Sequence, residues 1–175
     1  MSNSRSLPKV SSKEYAKLYG LSDGGLDESR LRAALKAITL IASAGKKLSP
    51  KTLAWRREEL AAIGASEAMI HEIEAFDPAA ATLEQLAAPN PLASVHGAAA
   101  RNLIYHAIRL AQIDGYNDAE RASVAAAAKK FGVAAPVVKA LEEHAAAWHA
   151  AEQQGDLDQA KLQELRKKRQ AVLST

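Results

Sequence analysis

Two strongly helical patterns meet at the sequence DGYNDAE, residues 114–120, which places three carboxylates in one short turn. The same plan of helix, glycine and helix occurs about 70 residues earlier, around Ala44 and Gly45, without any acidic residue. Such internal similarity is the signature of a duplicated structural unit. The sequence therefore predicts a duplicated helical fold in which only the second of two equivalent turns, hereafter the acidic turn (residues 114–120), carries acids.

The alignment of the two halves depends on apolar and glycine positions. It places Ile38, Leu40 and Gly45 on Ile108, Leu110 and Gly115 and, with two more residues in the first copy, Gly64 on Gly132. We therefore predict one domain over residues 12–155, with pseudo-repeats at about 28–77 and 91–150.

The segments around the repeats have their own patterns. Residues 1–11 are small and polar and are predicted to be a disordered N-terminus, whereas a short helix is expected over residues 12–19. Asn90-Pro91 is expected to open a long helix, since proline is favoured at the first helical position. Residues 156–175 are predicted to form a charged C-terminal helix.

The composition indicates an all-α protein. Of the 175 residues, 48% are hydrophobic but only 5% are aromatic, and alanine supplies much of the remainder. Alanine has the highest helix propensity and a small side chain. Runs of β-branched residues and alternating polar and apolar residues are almost absent, which disfavours strands.

Several classes of site are excluded by what the sequence lacks. There is no cysteine, and therefore no disulfide, thiolate nucleophile or cysteine-bound metal. The polar start of the chain has no signal-peptide pattern, and charges interrupt every apolar stretch before it reaches the roughly 20 residues of a membrane-spanning helix. We therefore expect a cytoplasmic protein. The formal net charge of +3 is too small to indicate a class of partner.

The acidic turn is the candidate binding site. Asp114 falls on the last turn of one helix, and Asp118 and Glu120 fall on the first turn of the next. Carboxylates grouped in this way can bind a hard divalent cation, calcium or magnesium rather than zinc. The spacing of an EF-hand loop is absent.

The alternative is that these acids only cap a helix. Asn117 with Glu120 three residues later forms the pattern of a capping box, and acids in a first helical turn are favoured by the helix dipole. The first copy makes its turn with Ala44, Leu48 and Pro50 in the matching places. The turn itself does not require acids, which favours a functional role for them.

A longer stretch of the second copy resembles a known family. Residues 101–115 (RNLIYHAIRLAQIDG), followed by Asp118-Ala119-Glu120 and Phe131-Gly132-Val133, resemble the tellurite-resistance TerB-like family. That family is all-helical and internally duplicated, and its copies carry an Ala-Asp-Gly turn followed by a glutamate. The resemblance covers about residues 28–145.

This resemblance implies both a site and a role. It implies that Asp114, Asp118 and Glu120 are metal ligands and that the chain is a bacterial, stress-linked binding module rather than an enzyme. The first copy departs from the family pattern, because Ser43-Ala44-Gly45 stands where the family usually shows an acid. Half of the expected acidic surface is therefore missing.

Other patterns do not predict a catalytic or DNA-reading site. None of the five histidines has a partner at the i,i+4 spacing of a helical metal site, and His106, four residues before Leu110, is the histidine expected near the acidic turn. Residues 124–141 have helix-turn-helix spacing, but their second helix begins with alanines, proline and valine and continues with Glu142 and Glu143. A DNA-reading helix usually offers Arg, Asn, Gln or Ser to base edges near its start, and the two glutamates here would repel phosphate.

Basic residues are concentrated near the C-terminus, at Lys161, Arg166, Lys167, Lys168 and Arg169. The ordinary interpretation is a solvated helix face that complements the helix dipole. The alternative is weak electrostatic attraction to an anionic membrane surface or a nucleic acid. We therefore treat Arg166, Lys167, Lys168 and Arg169 as candidate surface-binding residues.

These observations predict an all-α domain of two pseudo-repeats with an appended C-terminal helix. We expect a non-enzymatic binding module that associates with a protein partner or with itself, with one divalent-cation site at the acidic turn. The alternatives are a helical adaptor without metal, and weak association with a nucleic acid or membrane surface through the basic C-terminal helix. The sequence predicts no small-molecule substrate.

Overall fold

The computed structural model describes residues 28–62, 65–87 and 95–174. Within these ranges the chain forms eight α-helices and no strand, which confirms the predicted all-α class. The helices are α1 (Glu28–Ser43), α2 (Pro50–Ala62), α3 (Glu67–Glu74), α4 (Leu83–Ala87), α5 (Gly97–Ala111), α6 (Asp118–Lys130), α7 (Ala135–Gln154) and α8 (Gln159–Ser174). Two short 3-10 helices, Pro78–Ala80 and Gln112–Asp114, lie before α4 and after α5.

Some predictions concern residues outside the described ranges. These are the disordered N-terminus over residues 1–11, the short helix over residues 12–19, the helix end at Gly64 and the helix start at Asn90-Pro91. The described part of the chain does correct the predicted long helix, because α5 begins only at Gly97. Val95 lies before the helix, and His96 is extended at φ −146° and ψ 173°.

Helix α5 forms the centre of the core. Its residues Leu103, Ile104, Ala107, Ile108 and Leu110 are all at most 1% exposed, although they point to different sides of the helix. A helix that is buried on all sides must be surrounded by other elements. Helices α1 and α7 pack most extensively against α5, and α6 and α8 complete its surroundings.

Helix α1 supplies the apolar face that covers α5. Leu31, Leu35, Ile38 and Ala42 recur at helical spacing and are between 0% and 6% exposed. Burial of a leucine or isoleucine side chain contributes about 1.5–3 kcal/mol to folding before its entropic cost is counted. The contact between α1 and α5, the first helices of the two predicted pseudo-repeats, is therefore one of the two main contacts of the core, beside that between α5 and α7.

The two predicted pseudo-repeats have matching turns. Gly45, which follows α1, and Gly115, which follows the 3-10 helix after α5, have φ of +83° and +95°. These are the glycines that the sequence alignment placed together. The hydroxyl of Ser49 and the side-chain oxygen of Asn117 then accept hydrogen bonds from backbone N–H groups at the starts of α2 and α6. The first turn is two residues longer than the second, as the sequence predicts. The extra residues lie between Gly45 and the start of α2.

The remaining described helices extend this core. Ser66 caps α3 by accepting a hydrogen bond from the Met69 N–H at 3.3 Å, and Ile70 and Ile73 are buried as their spacing predicts. Leu165 and Leu173 of α8 are 2% and 3% exposed, so the charged C-terminal helix packs onto the domain. Among the described helices none is both long and apolar enough to cross a bilayer.

Candidate functional site

The backbone of the acidic turn is set by Gly115. Helix α5 ends at Ala111, the 3-10 helix carries the chain to Asp114, and Gly115 then adopts φ +95° and ψ 129°. A residue with a Cβ is strained at this φ, although a Cβ built on Gly115 would meet no atom within 4 Å. The glycine is therefore required by its backbone conformation rather than by crowding.

Asp114 contacts the start of α2, in the other predicted pseudo-repeat. The Thr52 hydroxyl donates a hydrogen bond to Asp114 Oδ2. The Ser49 hydroxyl lies 3.2 Å from the Thr52 hydroxyl oxygen and accepts from the Thr52 N–H at 3.1 Å. Lys51 Nζ donates to the Ile113 carbonyl oxygen at 2.9 Å. This part of the chain therefore contacts α2 through the side chain of Asp114 and the backbone carbonyl of Ile113.

These contacts stabilise the ionised form of Asp114. The Ser49 and Thr52 hydroxyls, with a smaller contribution from the charge of Lys51, lower the pKa of Asp114 below its ordinary value. Helix α2 has no acidic residue in its own first turn. A carboxylate at a helix N-terminus interacts favourably with the helix dipole and the unpaired N–H groups there. Asp114 thus supplies to α2 the negative charge that its own first turn lacks.

Glu120 and Asn117 form the predicted capping box at the start of α6. The Asn117 N–H donates to Glu120 Oε2 at 2.8 Å, and the Glu120 N–H donates to Asn117 Oδ1 at 3.0 Å. Glu120 is 8% exposed. The capping box therefore satisfies two backbone N–H groups at the start of α6, those of Asn117 and Glu120. Asp118, in contrast, is exposed at the first position of α6.

Tyr116 fixes the middle of the turn to α7. Its hydroxyl donates to Glu142 Oε1 at 2.8 Å, and the Arg121 guanidinium lies 4.2 Å from the centre of its ring. Burial and the hydrogen bond to Glu142 raise the pKa of Tyr116, so the phenol stays protonated and remains a donor. The acidic turn is therefore attached to α2, α6 and α7.

The three predicted metal ligands are thus placed differently from one another. Asp114 contacts α2, Glu120 is part of the capping box, and Asp118 faces solvent. In the part of the chain that the structure describes, no three histidine or acidic side chains converge as a metal-binding group. Cation binding by Asp114, Asp118 and Glu120 stays a prediction.

A second contact between α2 and α5 was not predicted from the sequence. His106 Nδ1 lies 3.0 Å from Glu59 Oε1, and the Arg56 guanidinium pairs with the other oxygen of Glu59. Burial opposes ionisation of Glu59, but Arg56 and His106 hold the pKa of Glu59 at about 2. Burial lowers the pKa of His106, which is only partly offset by Glu59.

A buried arginine joins α2, α5 and α7. Arg109 is 7% exposed, and its guanidinium lies 5.6 Å from the ring centre of Trp55 and 5.4 Å from that of Trp148. Arg109 Nη2 also pairs with Glu152 Oε1 at 2.9 Å, and Trp148 Nε1 donates to the same oxygen at 2.9 Å. Planar stacking of arginine on aromatic rings favours this arrangement. Because the chain has few aromatic residues, its two tryptophans are the sequence feature that could have indicated this buried arginine contact.

The predicted surface-binding residues lie on α8. Arg166, Lys167 and Lys168 are exposed, and Lys168 pairs with Glu164 at 2.6 Å. Arg169 is half-buried, with its guanidinium 5.8 Å from the centre of the Tyr105 ring. The four cations are therefore not equivalent, because Arg169 also packs against the domain.

His144 also connects α7 to α8. Its Nε2 lies 2.8 Å from the Leu165 carbonyl oxygen, and its Nδ1 lies 3.1 Å from the Tyr105 hydroxyl. A carbonyl can only accept, so Nε2 carries the proton and Nδ1 accepts from Tyr105. Burial lowers the pKa of His144, which agrees with this neutral form.

We expect replacement of Asp114 by asparagine to destabilise the fold in a pH-dependent way. Because the folded-state pKa of Asp114 is lowered, the ionised carboxylate stabilises the fold above about pH 4, the ordinary range of aspartate, and this contribution is lost as the pH falls through the lower folded-state value. For an exposed carboxylate at a helix N-terminus we expect about 0.5–1 kcal/mol at pH 7. Urea unfolding at pH 7 and pH 3 measures the difference.

Asp118→Asn is the matched control, since it removes an exposed acid from the same turn. Asp118 lies in the first turn of α6 and makes no hydrogen bond or ion pair with α2. We therefore expect Asp118→Asn to lower the free energy of unfolding less than Asp114→Asn does. Equal losses in the two variants at pH 7, or a loss in Asp114→Asn that persists unchanged at pH 3, would contradict the assigned role of Asp114.

Comparison with known proteins supports the fold. The chain matches no protein-family model and no curated protein sequence. It is similar to the crystal structure of a tellurite resistance protein from Nostoc punctiforme PCC 73102, with 23% sequence identity and a TM-score of 0.64. The similarity covers 90% of this chain and 94% of that chain. The chain therefore shares the helical fold of that protein, as the resemblance in sequence implied.

Proposed function

We propose that this chain is a non-enzymatic binding module that contributes to tellurite tolerance in a bacterium by docking a partner protein. The observation that carries the proposal is the likeness in fold to the Nostoc tellurite resistance protein over nearly the whole of both chains. The TerB-like pattern around the acidic turn supports the same role. The protein would act through its surface rather than by transforming a small molecule.

The contacts of the acidic turn are compatible with this role. Asp114 stabilises the start of α2 and Glu120 caps α6, so both acids have structural partners. Two buried polar contacts likewise join helices, the contact of Glu59 with His106 between α2 and α5 and the ion pair of Arg109 with Glu152 between α5 and α7. These interactions support a rigid scaffold that presents a constant helical surface to a partner.

We expect deletion of the gene in its native host to lower the concentration of potassium tellurite that stops growth. Expression of the wild-type chain from a plasmid should restore the tolerance of the parent strain. Growth is measured across a series of tellurite concentrations, with the amount of protein checked by immunoblot. A deletion strain as tolerant as its parent would overturn the proposed role in tellurite tolerance.

A second candidate function is divalent-cation binding at the acidic turn. It is favoured by one observation, that the carboxylate of Asp114, whose pKa is lowered, lies four residues before the exposed Asp118 in the same turn. The contacts of Glu120 within the capping box oppose it, since a bound cation would have to compete with the Asn117 N–H.

Calorimetric titration of the metal-stripped protein with calcium and with magnesium distinguishes the two candidates. If the binding module acts without a cation, we expect no saturable heat and full restoration of tellurite tolerance by Asp118→Asn. Saturable binding that is lost in Asp118→Asn, together with lost tolerance, would instead establish the cation site. Asp118→Asn suits both measurements because the exposed side chain contributes little to the core.

A further inference from the structure

An open groove lies on the surface between the two predicted pseudo-repeats. Its walls come from the end of α1 and the following turn, from the start of α4 and from α6, and its volume is about 570 Å³. Leu40, Leu83 and Ala126 give it an apolar lining. All of the acidic turn, and the contacts of Asp114 with α2, lie outside this lining. The groove is therefore a separate feature from the site described above.

One wall of the groove suits the close approach of another helix. On α6, Ala122, Ala125 and Ala126 are exposed, and Ser123 is half-buried between them. The distance between packed helices depends on the size of the side chains at their contact. A helix laid against these alanines can therefore come close to the α6 backbone and insert larger apolar side chains into the groove.

The charge at the groove is predominantly positive. Lys129 and Lys130 line it, and Lys130 pairs with Glu84 at 2.8 Å. Lys129 is exposed and forms no ion pair within the described ranges. Lys46 is not part of the lining but directly follows the groove residue Gly45, and it is exposed and forms no ion pair with the described residues. Within the described ranges, one lysine of the lining and one lysine next to it are therefore without an ion pair.

We propose that this groove docks an amphipathic helix of a partner protein, with apolar side chains in the groove and acidic side chains facing Lys129 and Lys46. Apolar anchors at helical spacing are the usual way in which a helix occupies such a groove. Complementary charge at the rim sets the orientation and speeds association. The inference rests on the proposed binding function and names the surface and the partner chemistry for it.

The lining favours a helix over a small anion. Leucine, alanine, threonine and serine residues form most of the lining. Small-ligand sites have a few polar groups that converge on one position. Here Lys129 and Lys46 lie on different elements, α6 and the turn after α1, which suits acidic residues spaced along a helix.

The test uses a defined probe. This is a fluorescein-labelled synthetic peptide of about 18 residues, long enough for a helix of several turns, with leucine at helical spacing and glutamate at the other positions. Binding is followed by fluorescence anisotropy with the full-length protein. A peptide with lysine in place of glutamate serves as the charge control. We expect saturable binding of the acidic peptide and no binding of the basic one.

Two matched variants locate the binding. Lys129→Glu reverses a charge at the groove, and Lys139→Glu reverses the charge of an exposed lysine on α7 that does not line it. We expect Lys129→Glu to weaken binding about tenfold or more, as close opposite charges at an interface allow, and Lys139→Glu to leave it nearly unchanged. A third variant, Ala126→Arg, obstructs the groove and should also abolish binding.

The proposal is overturned if the acidic peptide does not bind, or if Lys129→Glu and Lys139→Glu weaken binding equally, which indicates general electrostatic attraction. It is also overturned if phosphatidylserine vesicles or single-stranded RNA displace the peptide from the groove at equal salt. In the deletion strain, restoration of tellurite tolerance by Ala126→Arg overturns the groove proposal but leaves the proposed function intact. Failure of the wild-type chain to restore tolerance overturns the proposed function alone.

Discussion

The ionised carboxylate of Asp114 at the start of α2 is the polar contact on which the position of that helix against the opposite half depends. The backbone of α2 comes closest to α3 and to the 3-10 helix that contains Asp114, rather than to α5 itself. The pair formed by Glu59 and His106 adds a second attachment further along α2. With both contacts in place, α2 has a fixed direction against the core.

This arrangement gives a physical reason for the unequal acids in the two turns. At the third position of α6, Glu120 satisfies the helix start from within its own helix. Thr52 occupies the equivalent position of α2, and its hydroxyl donates a hydrogen bond to the Asp114 carboxylate. Both helix starts therefore have a local cap, Ser49 at α2 and the capping box at α6, and only the start of α2 also contacts a carboxylate of the opposite half. Of the acids that the sequence identified as a candidate cation site, Glu120 caps α6 and Asp114 contacts the start of α2.

Much of this could be predicted from the sequence, because the signals are local. The capping box of Asn117 and Glu120, the two glycines of positive φ and the buried spacing of α1 each depend on residues close together in the chain. The partner of Asp114, Thr52, lies 62 residues away in the chain. The periodicity of apolar residues does not indicate which helix end packs against which turn. Arg56 and Glu59 lie in a run of four charged residues that resembles a solvated face, yet Arg56 is 1% exposed. The predicted continuous helix through residues 95 and 96 was wrong, because proline and apolar spacing do not exclude the extended backbone at His96.

The most direct measurement is a double-mutant cycle on Asp114 and Thr52. The free energy of unfolding in urea at pH 7 is determined for the wild type, Asp114→Ala, Thr52→Val and the double variant. If the carboxylate holds α2 through the Thr52 hydroxyl, the two changes are coupled by about 0.5–1 kcal/mol, the range for charge at an exposed helix start. Strictly additive effects would show that Asp114 stabilises the fold independently of the Thr52 hydroxyl and would contradict this account.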